Sequence, residues 1–383
     1  MKKVLIFYAS YGGGHLSAAK SIKQYIDENY NDVQTEMIDC IKYVDKAFEK
    51  ITTSAYLEMA KNAPWAWKKV YDNAQEGILG KISNDANKLM SKKIAKLFDE
   101  FKPDIVISTH PFSSQMTTIL KKKKKTNCVL ATVLTDFVSH DQWLVNNEYV
   151  DYFFVSNEKM KEQMVSEKNI DENKIFVTGI PISKRFLEKH DKNAIYNEFQ
   201  LSNKKKTILF FGGGEFGIGK ARTVAILDIL AKSKADIQVV AISGRNQKME
   251  NSFNKVVINN NKQDSIKVFS YTSKVPELMA IANLVITKPG GLTTSESLAN
   301  GLPIIAINPI PGQEEENAKF LENSGAAIWL RKKMDPARVI NSVLNEDNKL
   351  KDMQNNSIKI ARKYSTENIC KICLDGKENN DDK

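Results

Sequence analysis

The sequence predicts an α/β protein made of two doubly wound domains that face each other across a cleft. Three observations support this prediction: a length of 383 residues, a strand, glycine turn and helix pattern that occurs twice, and several continuous apolar runs. Single hydrophobic cores stop growing at about 250–300 residues, so the length favours two domains. Hydrophobic residues make up 42% of the chain and charged residues 27%, a composition that excludes a disordered or disulfide-stapled chain.

The repeated pattern marks the beginning of each domain. Residues 4–8 form an apolar run, glycines occupy positions 12–14, and Ala18, Ile22 and Ile26 then recur at helical spacing. Residues 207–211 repeat the apolar run, and they are followed by glycines at 212–214 and periodic apolar residues. Each pattern predicts a strand, a glycine turn and a helix.

Further apolar runs predict the remaining strands. These runs are continuous, which is typical of parallel strands that are buried on both faces. Two Rossmann-like parallel sheets are therefore expected, with ligands at the carboxyl ends of the strands. We expect domains at 1–190 and 200–360, a polar boundary at 188–205, and a terminal helix and polar tail at 361–383. The runs lie at 104–108, 128–134, 152–155, 238–242, 267–269, 284–287 and 303–307.

Charge and cysteine content suggest partners and a compartment. Lys and Arg total 56 against 46 Asp and Glu, a formal charge of +10 that suits an anionic partner or simply a solvated basic surface. Four cysteines are too few and too unevenly spaced for a disulfide framework, and the Cys370 and Cys373 pair lacks the second pair that a zinc site needs. With no export signal and no long apolar run, we expect a cytoplasmic protein with peripheral membrane contact.

Two basic segments are candidates for that contact. An insertion at about 40–100 contains an amphipathic stretch with Trp65 and Trp67 beside several lysines. It is either an ordinary helix packed on its own domain or a helix that lies among lipid headgroups. The run Lys121 to Lys125 is either a solvated loop or a second contact with an anionic leaflet.

The first glycine turn is followed by a titratable side chain. Gly13 and Gly14 let a ligand approach the backbone, and His15 comes directly after them. An imidazole titrates near neutral pH, so His15 could take a proton from a hydroxyl group. The alternative is a histidine satisfied within the first helical turn, and we assign no role to His110 or His190.

A further glycine turn follows the strand predicted at 284–287. Its glycines and the helix after it predict a phosphate site, and Glu296 inside that helix can accept both hydroxyls of a ribose. A polar cluster after Pro311 and Gly312 could bond sugar hydroxyls; otherwise the region is a capped helix with an acidic loop. The candidate donor-binding residues here are Lys288, Gly290, Gly291, Thr293, Glu296, Gln313, Glu314 and Asn317.

These segments resemble a known family. Residues 288–291 (KPGG) and 309–317 (PIPGQEEEN) resemble the donor-sugar signature of the bacterial processive diacylglycerol β-glucosyltransferases and plant monogalactosyldiacylglycerol synthases. The resemblance spans residues 3–345, and the chain is more distantly similar to the N-acetylglucosaminyltransferase that makes lipid II. Matching motifs follow in the family's order at 11–15 (YGGGH), 103–105 (PDI), 135–137 (TDF) with His140 and Trp143, and 178–182 (TGIPI).

The resemblance implies a GT-B glycosyltransferase that moves a hexose from UDP-glucose or UDP-galactose to diacylglycerol with inversion. The C-terminal domain would hold the donor, with Glu296 on the ribose, glycines 290–291 near the phosphates, and Gln313 and Glu314 on the hexose. The backbone at Tyr271 and Thr272 would contact the uracil. Gly213 and Gly214 would lie near the diphosphate, although Glu215 and Phe216 depart from the family pattern there.

The N-terminal domain would hold the lipid acceptor. His15 matches the family's base, and Asp136 would either orient His15 or serve as the base itself. Pro111 and Trp143 are the nearest matches to residues at the lipid-headgroup face. The residues expected on the acceptor or membrane side are Gly13, Gly14, Trp65, Trp67, Pro111, His140 and Trp143.

The expected partners are a UDP-hexose donor, diacylglycerol or glycosyl-diacylglycerol, and the anionic inner face of the cell membrane, without nucleic acid. The chain contains no Asp-x-Asp, so no metal cofactor is expected, and helix N-termini with Lys288 would neutralise the diphosphate. One alternative is a UDP-N-acetylglucosamine enzyme of the same architecture, either a lipid II-type transferase or an epimerase, although an epimerase would not need the aromatic insertion. Another is a basic, non-enzymatic binder of membranes or nucleic acid.

Overall fold

The computed structural model describes residues 1–10, 13–44, 93–213 and 219–376. These residues divide into two compact α/β units. The first contains the described residues up to Ser183 together with those from Arg362 onward, and the second contains the described residues from Lys184 to Ala361. Each unit is built on its own six-stranded sheet, and every strand pairing is parallel. The predicted pair of doubly wound α/β domains is confirmed.

The sheet of the first unit has the strand order β2-β1-β3-β4-β5-β6. The first strand is apolar along its length because both of its faces are covered, and Val4, Leu5, Ile6 and Phe7 are fully buried. The strands are β1 (Lys2–Tyr8), β2 (Val33–Asp39), β3 (Ile105–Ser108), β4 (Val129–Val133), β5 (Tyr152–Val155) and β6 (Ile175–Val177). The helices are α1 (Gly13–Asn29), α2 (Cys40–Val44), α3 (residues 93–101), α4 (Pro111–Lys122) and α5 (Glu158–Ser166), with short 3₁₀ helices at Asp141–Trp143, Asn147–Tyr149 and Glu172–Lys174.

The order of the strands positions the site of this unit. β1 lies between β2 and β3. β2 is added on one side of β1 and the later strands on the other, so the strand order reverses at the boundary between β1 and β3. In open parallel sheets such a reversal opens a crevice at the carboxyl ends of the strands, and ligands bind there. The segments that follow β1, β3 and β4 therefore meet at one edge.

The sheet of the second unit has the order β12-β11-β10-β7-β8-β9, the 3-2-1-4-5-6 arrangement of nucleotide-binding domains. Its reversal lies between β7 and β10. The strands are β7 (Lys206–Phe211), β8 (Ile237–Ile242), β9 (Ile266–Phe269), β10 (Leu284–Thr287), β11 (Ile304–Ala306) and β12 (Ala327–Trp329). The helices are α6 (Lys192–Glu198), α7 (Lys220–Lys232), α8 (Gln247–Asn259), α9 (Val275–Ile281), α10 (Gly291–Ala299), α11 (Gln313–Asn323), α12 (Pro336–Asn345) and α13 (Asp347–Ile360), with a 3₁₀ helix at Lys184–Phe186.

The boundary between the units lies earlier than residues 188–205, where it was predicted. The chain leaves the first unit after Ser183, and Ile195 and Phe199 are buried in an apolar cluster of the second unit. The prediction rested on the polar composition of this stretch. Part of that stretch, Lys192–Glu198, forms the short helix α6, which buries Ile195 and exposes most of its polar residues.

The last described helix, α14 (Ser365–Asp375), belongs to the first unit. The hydroxyl of Ser365 donates to the carbonyl oxygen of Ile180 at 2.8 Å, and that of Thr366 donates to the carbonyl oxygen of Ile182 at 2.7 Å. Cys370 and Cys373 are buried in the apolar cluster that also contains residues of α1 and β1. Burial raises the pKa of both thiols, so these cysteines are packing residues of the core.

Most of the predicted insertion lies outside the described residues. Trp65 and Trp67, which the sequence places in the membrane contact, are among the residues that the structure does not describe, as is Gly214 in the second glycine run. Within the described ranges, no helix combines the length and apolarity needed to cross a bilayer.

Candidate active site

The first candidate site lies at the carboxyl ends of β1, β3 and β4. His15 is the third residue of α1, which follows β1. Thr109 and His110 follow β3, and Thr135 follows β4. Because these three strands are neighbours in the sheet, residues far apart in the chain come within hydrogen-bonding distance of one another.

Two oxygen atoms hold the imidazole ring of His15. Its Nδ1 lies 2.6 Å from the carbonyl oxygen of Thr109 and 3.1 Å from the hydroxyl oxygen of Thr135. A carbonyl oxygen can only accept a hydrogen bond, so Nδ1 carries the proton. The other ring nitrogen, Nε2, then has a free lone pair and can act as a base.

Thr109 also fixes the backbone around His15. Its hydroxyl oxygen lies 3.0 Å from the carbonyl oxygen of His15 and 3.1 Å from that of Phe7, and Thr109 itself is fully buried. Thr109 therefore contacts His15 twice. Its side-chain hydroxyl bonds the carbonyl oxygen of His15, and its own carbonyl oxygen bonds the ring of His15. This contact ties the start of α1 to the end of β3.

Three of the four histidines of the chain gather at this edge. The rings of His15 and His110 are nearly perpendicular, with centroids 4.8 Å apart, and the Nδ1 of His110 accepts from the backbone N–H of Phe112 at 3.3 Å. Burial lowers the pKa of His15 and of His140 to about 4 and holds the pKa of His110 well below its usual value. All three rings are neutral at pH 7. His110, to which the sequence analysis gave no role, belongs to this cluster.

The other predicted residues of the first unit lie nearby in different environments. Asp136 is buried beside Thr135, and its carbonyl oxygen accepts from the hydroxyl of Ser156 at 2.7 Å. Gly13 and Gly14 begin α1, and Pro111 is the first residue of α4.

Trp143 is only 1% exposed and belongs to the hydrophobic core, although its ring lies 6.0 Å from that of His140. Trp143 is therefore a core side chain rather than a residue on an exposed headgroup face.

The second candidate site is the turn between β10 and α10. Gly290 immediately precedes α10, and a Cβ atom at Gly290 would meet no other atom within 4 Å, so the space above this backbone is open. The unpaired N–H groups at the start of the nine-residue helix face that region, as in anion sites at helix N-termini. The buried side chain of Asn317, on α11, donates to the carbonyl oxygen of Pro289 at 3.1 Å and fixes the turn.

Three ionisable side chains surround this turn. Burial lowers the pKa of Lys288, and the carboxylate of Glu314 opposes that effect. Burial also raises the pKa of Glu314, against the effects of Lys288 and of the Ile310 N–H, which donates to the Glu314 carboxylate at 2.7 Å. The carboxyl of Glu296 has no hydrogen-bond partner among the described residues, and burial raises its pKa to about 8. A half-buried carboxyl without a partner is suited to accept hydrogen bonds from a ligand.

The remaining predicted donor residues lie along the same edge of the second sheet. Gly213 adopts a φ of 91° at the end of β7, and Thr272 accepts from the N–H of Lys274 at 3.1 Å. Tyr271 is 64% exposed, with the guanidinium of Arg245 5.1 Å from its ring centroid. Two strands lie between β9 and β10, so the two are three spacings apart, or about 14 Å at about 4.8 Å per spacing, and only an extended ligand would reach both. Thr293 lies in the first turn of α10, and Gln313 begins α11.

No group of His, Cys, Asp and Glu side chains is placed to hold a metal ion in the part of the chain that the structure describes. The positive charge available at the second site comes from Lys288 and from the helix N-terminus.

Two glycines of this unit are expected to respond differently to alanine. Gly290→Ala should cost less than about 1 kcal/mol of stability, because its φ of −74° suits any residue, but it should weaken binding of a phosphate-containing ligand by filling the open space. Gly219→Ala should cost about 2 kcal/mol or more, because φ is +74° and the new Cβ would lie 2.8 Å from Asn308 Cγ. Chemical denaturation and calorimetric titration with UDP measure the two effects. Equal losses of stability would contradict the assignment of Gly290 to ligand contact.

Two family models match the chain in succession. Residues 15–182 match the monogalactosyldiacylglycerol (MGDG) synthase family, and residues 207–369 match the C-terminal domain of glycosyltransferase family 28. A processive diacylglycerol beta-glucosyltransferase from Bacillus licheniformis is 30% identical over 371 residues, which cover 96% of this chain and 93% of that protein.

Solved structures share the fold at lower identity. MurG of Acinetobacter baumannii is 14% identical, with a TM-score of 0.68 over 98% of this chain and 100% of that one. The UDP-GlcNAc 2-epimerase of Neisseria meningitidis, solved bound to UDP-GlcNAc, is 12% identical, with a TM-score of 0.63 over 98% of this chain and 100% of that one.

The two parallel-sheet units and the family 28 domain define a glycosyltransferase of the GT-B fold. Within that class, the chain belongs to the family of the processive diacylglycerol β-glucosyltransferases and monogalactosyldiacylglycerol synthases.

Proposed function

We propose that this glycosyltransferase transfers a hexose from UDP-glucose or UDP-galactose to the hydroxyl of diacylglycerol, with inversion at the anomeric carbon. It then adds further hexoses to the glycosyl-diacylglycerol product. The observation that carries the proposal is the imidazole of His15, held through Nδ1 with its basic nitrogen Nε2 unprotonated. The Bacillus licheniformis relative supports the acceptor and the repeated additions through its name.

On the acceptor side, His15 would act as the general base. Its Nε2 takes the proton of the acceptor hydroxyl while the hydroxyl oxygen attacks the anomeric carbon of the donor. The new carbon–oxygen bond forms as the bond to the diphosphate breaks, and UDP leaves with the electron pair from the opposite face. A positioned base of this kind contributes about 10²–10⁴-fold to the rate.

On the donor side, the turn before α10 would stabilise the charge of the leaving group. The N–H groups at glycines 290–291 and the ammonium of Lys288 face the diphosphate, and Glu296 accepts from the ribose hydroxyls. The exposed backbone at Tyr271 and Thr272 receives the uracil. The residues proposed for the hexose are Gln313, Glu314 and Asn317. We expect the reaction to need no metal, because these groups supply the charge that a bound cation would otherwise provide.

The acceptor is a lipid, so the protein would work at a membrane surface, which we propose is the anionic inner face of the cell membrane. The exposed residues Lys122 to Lys125 do not lie beside the proposed acceptor site. Lys122 ends α4, and Lys123 to Lys125 lie between α4 and β4, at the amino ends of the strands, whereas His15 lies at the carboxyl ends. A membrane contact that includes the acceptor site therefore has to be made by the opposite edge of the first unit.

The direct test is an assay of the purified protein with diacylglycerol in liposomes and labelled UDP-glucose, UDP-galactose or UDP-GlcNAc, followed by separation of the lipid products. We expect labelled mono- and diglycosyl-diacylglycerol from one of the two UDP-hexoses, at an undiminished rate in EDTA. Conversion of UDP-GlcNAc to its 2-epimer, or no lipid product with any donor, would contradict the proposed function. Loss of activity in EDTA that added Mg²⁺ restores would contradict the metal-free mechanism alone.

A further inference from the structure

We propose that Thr135 is a positioning residue for His15, and that its hydroxyl shares the Nδ1 proton with the carbonyl oxygen of Thr109. The inference rests on the proposed role of His15 as the base. The hydroxyl oxygen of Thr135 lies 3.1 Å from Nδ1, and the residue is 6% exposed at the carboxyl end of β4. The orienting function that the sequence analysis considered for Asp136 is thereby assigned to its neighbour.

The two oxygen atoms restrain the ring in a way that one alone would not. The carbonyl oxygen of Thr109 comes from the end of β3 and the hydroxyl of Thr135 from the end of β4. A single bond leaves the imidazole free to tilt about the bond axis, whereas two acceptors from different strands restrict that tilt. The carbonyl oxygen of Thr109 selects the tautomer that is protonated at Nδ1, the hydroxyl of Thr135 gives that proton a second acceptor, and this tautomer leaves Nε2 available as the base.

The same contact acts during the reaction. When Nε2 takes the proton of the acceptor hydroxyl, the ring becomes an imidazolium and the bonds donated by Nδ1 become charge-assisted. Two neutral oxygens then stabilise a cation that burial would otherwise disfavour. A carboxylate in this position would hold a charged ring in the resting protein, whereas a hydroxyl and a carbonyl keep the ring neutral and still stabilise it after proton transfer.

The test compares Thr135→Val, which keeps the shape of the side chain and removes the hydroxyl, with Thr135→Ser, which keeps the hydroxyl. We expect Thr135→Val to lower kcat by about 3–10-fold, the usual effect of losing one neutral hydrogen bond, with the donor KM unchanged. Thr135→Ser should restore most of the rate. In Thr135→Val the acid limb of the kcat profile should shift to lower pH, because the imidazolium loses one acceptor.

A spectroscopic measurement tests the inference without turnover. In protein labelled with ¹⁵N-histidine, each of the four histidines contributes two ring nitrogens, and the signals lost in His15→Ala are those of His15. Wild type should show a protonated Nδ1 and an unprotonated Nε2 at pH 7. Thr135→Val should keep this tautomer, because the carbonyl oxygen of Thr109 remains, and should change the chemical shift of Nδ1, because its proton loses the second acceptor. Thr132→Val is the matched control, because it removes a buried hydroxyl from β4, the strand that Thr135 follows, and this hydroxyl bonds Ser114 and not His15.

The outcomes separate the inference from the function on which it rests. Absence of lipid glycosylation by wild type would overturn the proposed function and leave the ¹⁵N ring signals as the test of Thr135. Wild-type turnover with unchanged kcat, pH profile and ring signals in Thr135→Val would overturn the positioning role. Equal changes in Thr132→Val would also overturn it, because they would come from general loosening of β4.

Discussion

Replacement of His15 by alanine is expected to lower kcat by about 10²–10⁴-fold while the affinity for the UDP-sugar donor stays the same. The donor residues of the second unit do not include His15, so removal of the imidazole leaves their contacts intact. What is lost is the group that takes the proton of the acceptor hydroxyl. Initial rates with labelled donor and diacylglycerol liposomes measure the first effect, and calorimetric titration with UDP-sugar measures the second.

The matched control is His190→Ala. His190 belongs to the second unit, where its Nε2 lies 3.1 Å from the carbonyl oxygen of Arg185, outside the histidine cluster. Its removal should leave the rate unchanged. If His15→Ala turns over at the wild-type rate, the base is another group, and Asp136→Asn should then abolish activity.

The pH dependence of the rate is a second, independent test of whether His15 is the base. Burial lowers the pKa of His15 to about 4, so the ring is neutral and able to accept a proton at any pH well above that value. We therefore expect kcat, measured at saturating donor so that the titration of Glu296 in the free protein does not enter, to be maintained down to about pH 5 and to fall as the pH approaches 4. A fall between pH 7 and pH 6 would show that the base titrates like an exposed histidine.

The sequence predicted the architecture because the strands of this protein are buried on both faces. Such strands read as continuous apolar runs, and the runs at 4–8 and 207–211 became β1 and β7. β2 was missed because it is an edge strand on which polar and apolar residues alternate. β6 was missed because its apolar run has only three residues, whereas β12 lies in the apolar run at 326–330 and could have been predicted.

The candidate sites were predictable only where the chemistry lies within one segment. Gly290 and Glu296 belong to a single turn and helix, and so they could be identified together. The contacts of His15 join it to residues 94 and 120 positions away, and they exist because β1, β3 and β4 are neighbours. Strand order is a property of the folded sheet, so neither Thr109 nor Thr135 could be assigned from spacing. His110 could have been suspected, because it follows a predicted strand on the edge where ligands bind.

Glu296→Gln is expected to weaken donor binding and to stabilise the unliganded protein. Two hydroxyls that donate to a carboxylate contribute about 1.5–3 kcal/mol, so the amide should bind the UDP-sugar about 10–150-fold more weakly.

The free energy of unfolding of the unliganded protein should instead increase in Glu296→Gln. Burial raises the pKa of Glu296 to about 8 from its ordinary value of 4.5, so between these values the folded protein holds a proton that the unfolded chain has lost. The free energy of unfolding therefore falls as the pH rises through this window, and glutamine removes that loss.

Three measurements test this prediction. Thermal unfolding at pH 5 and pH 8 should show that Glu296→Gln gains stability over wild type at the higher pH and little at the lower one. Titration of wild type with UDP-sugar at pH 7, in buffers of different ionisation enthalpy, should show release of a proton, because the ribose hydroxyls bind the ionised carboxylate. Glu346→Gln, an exposed carboxyl of the same unit, should change neither property. Normal donor affinity combined with lower stability in Glu296→Gln would mean that the carboxyl supports the fold of the second unit and does not bind the ribose.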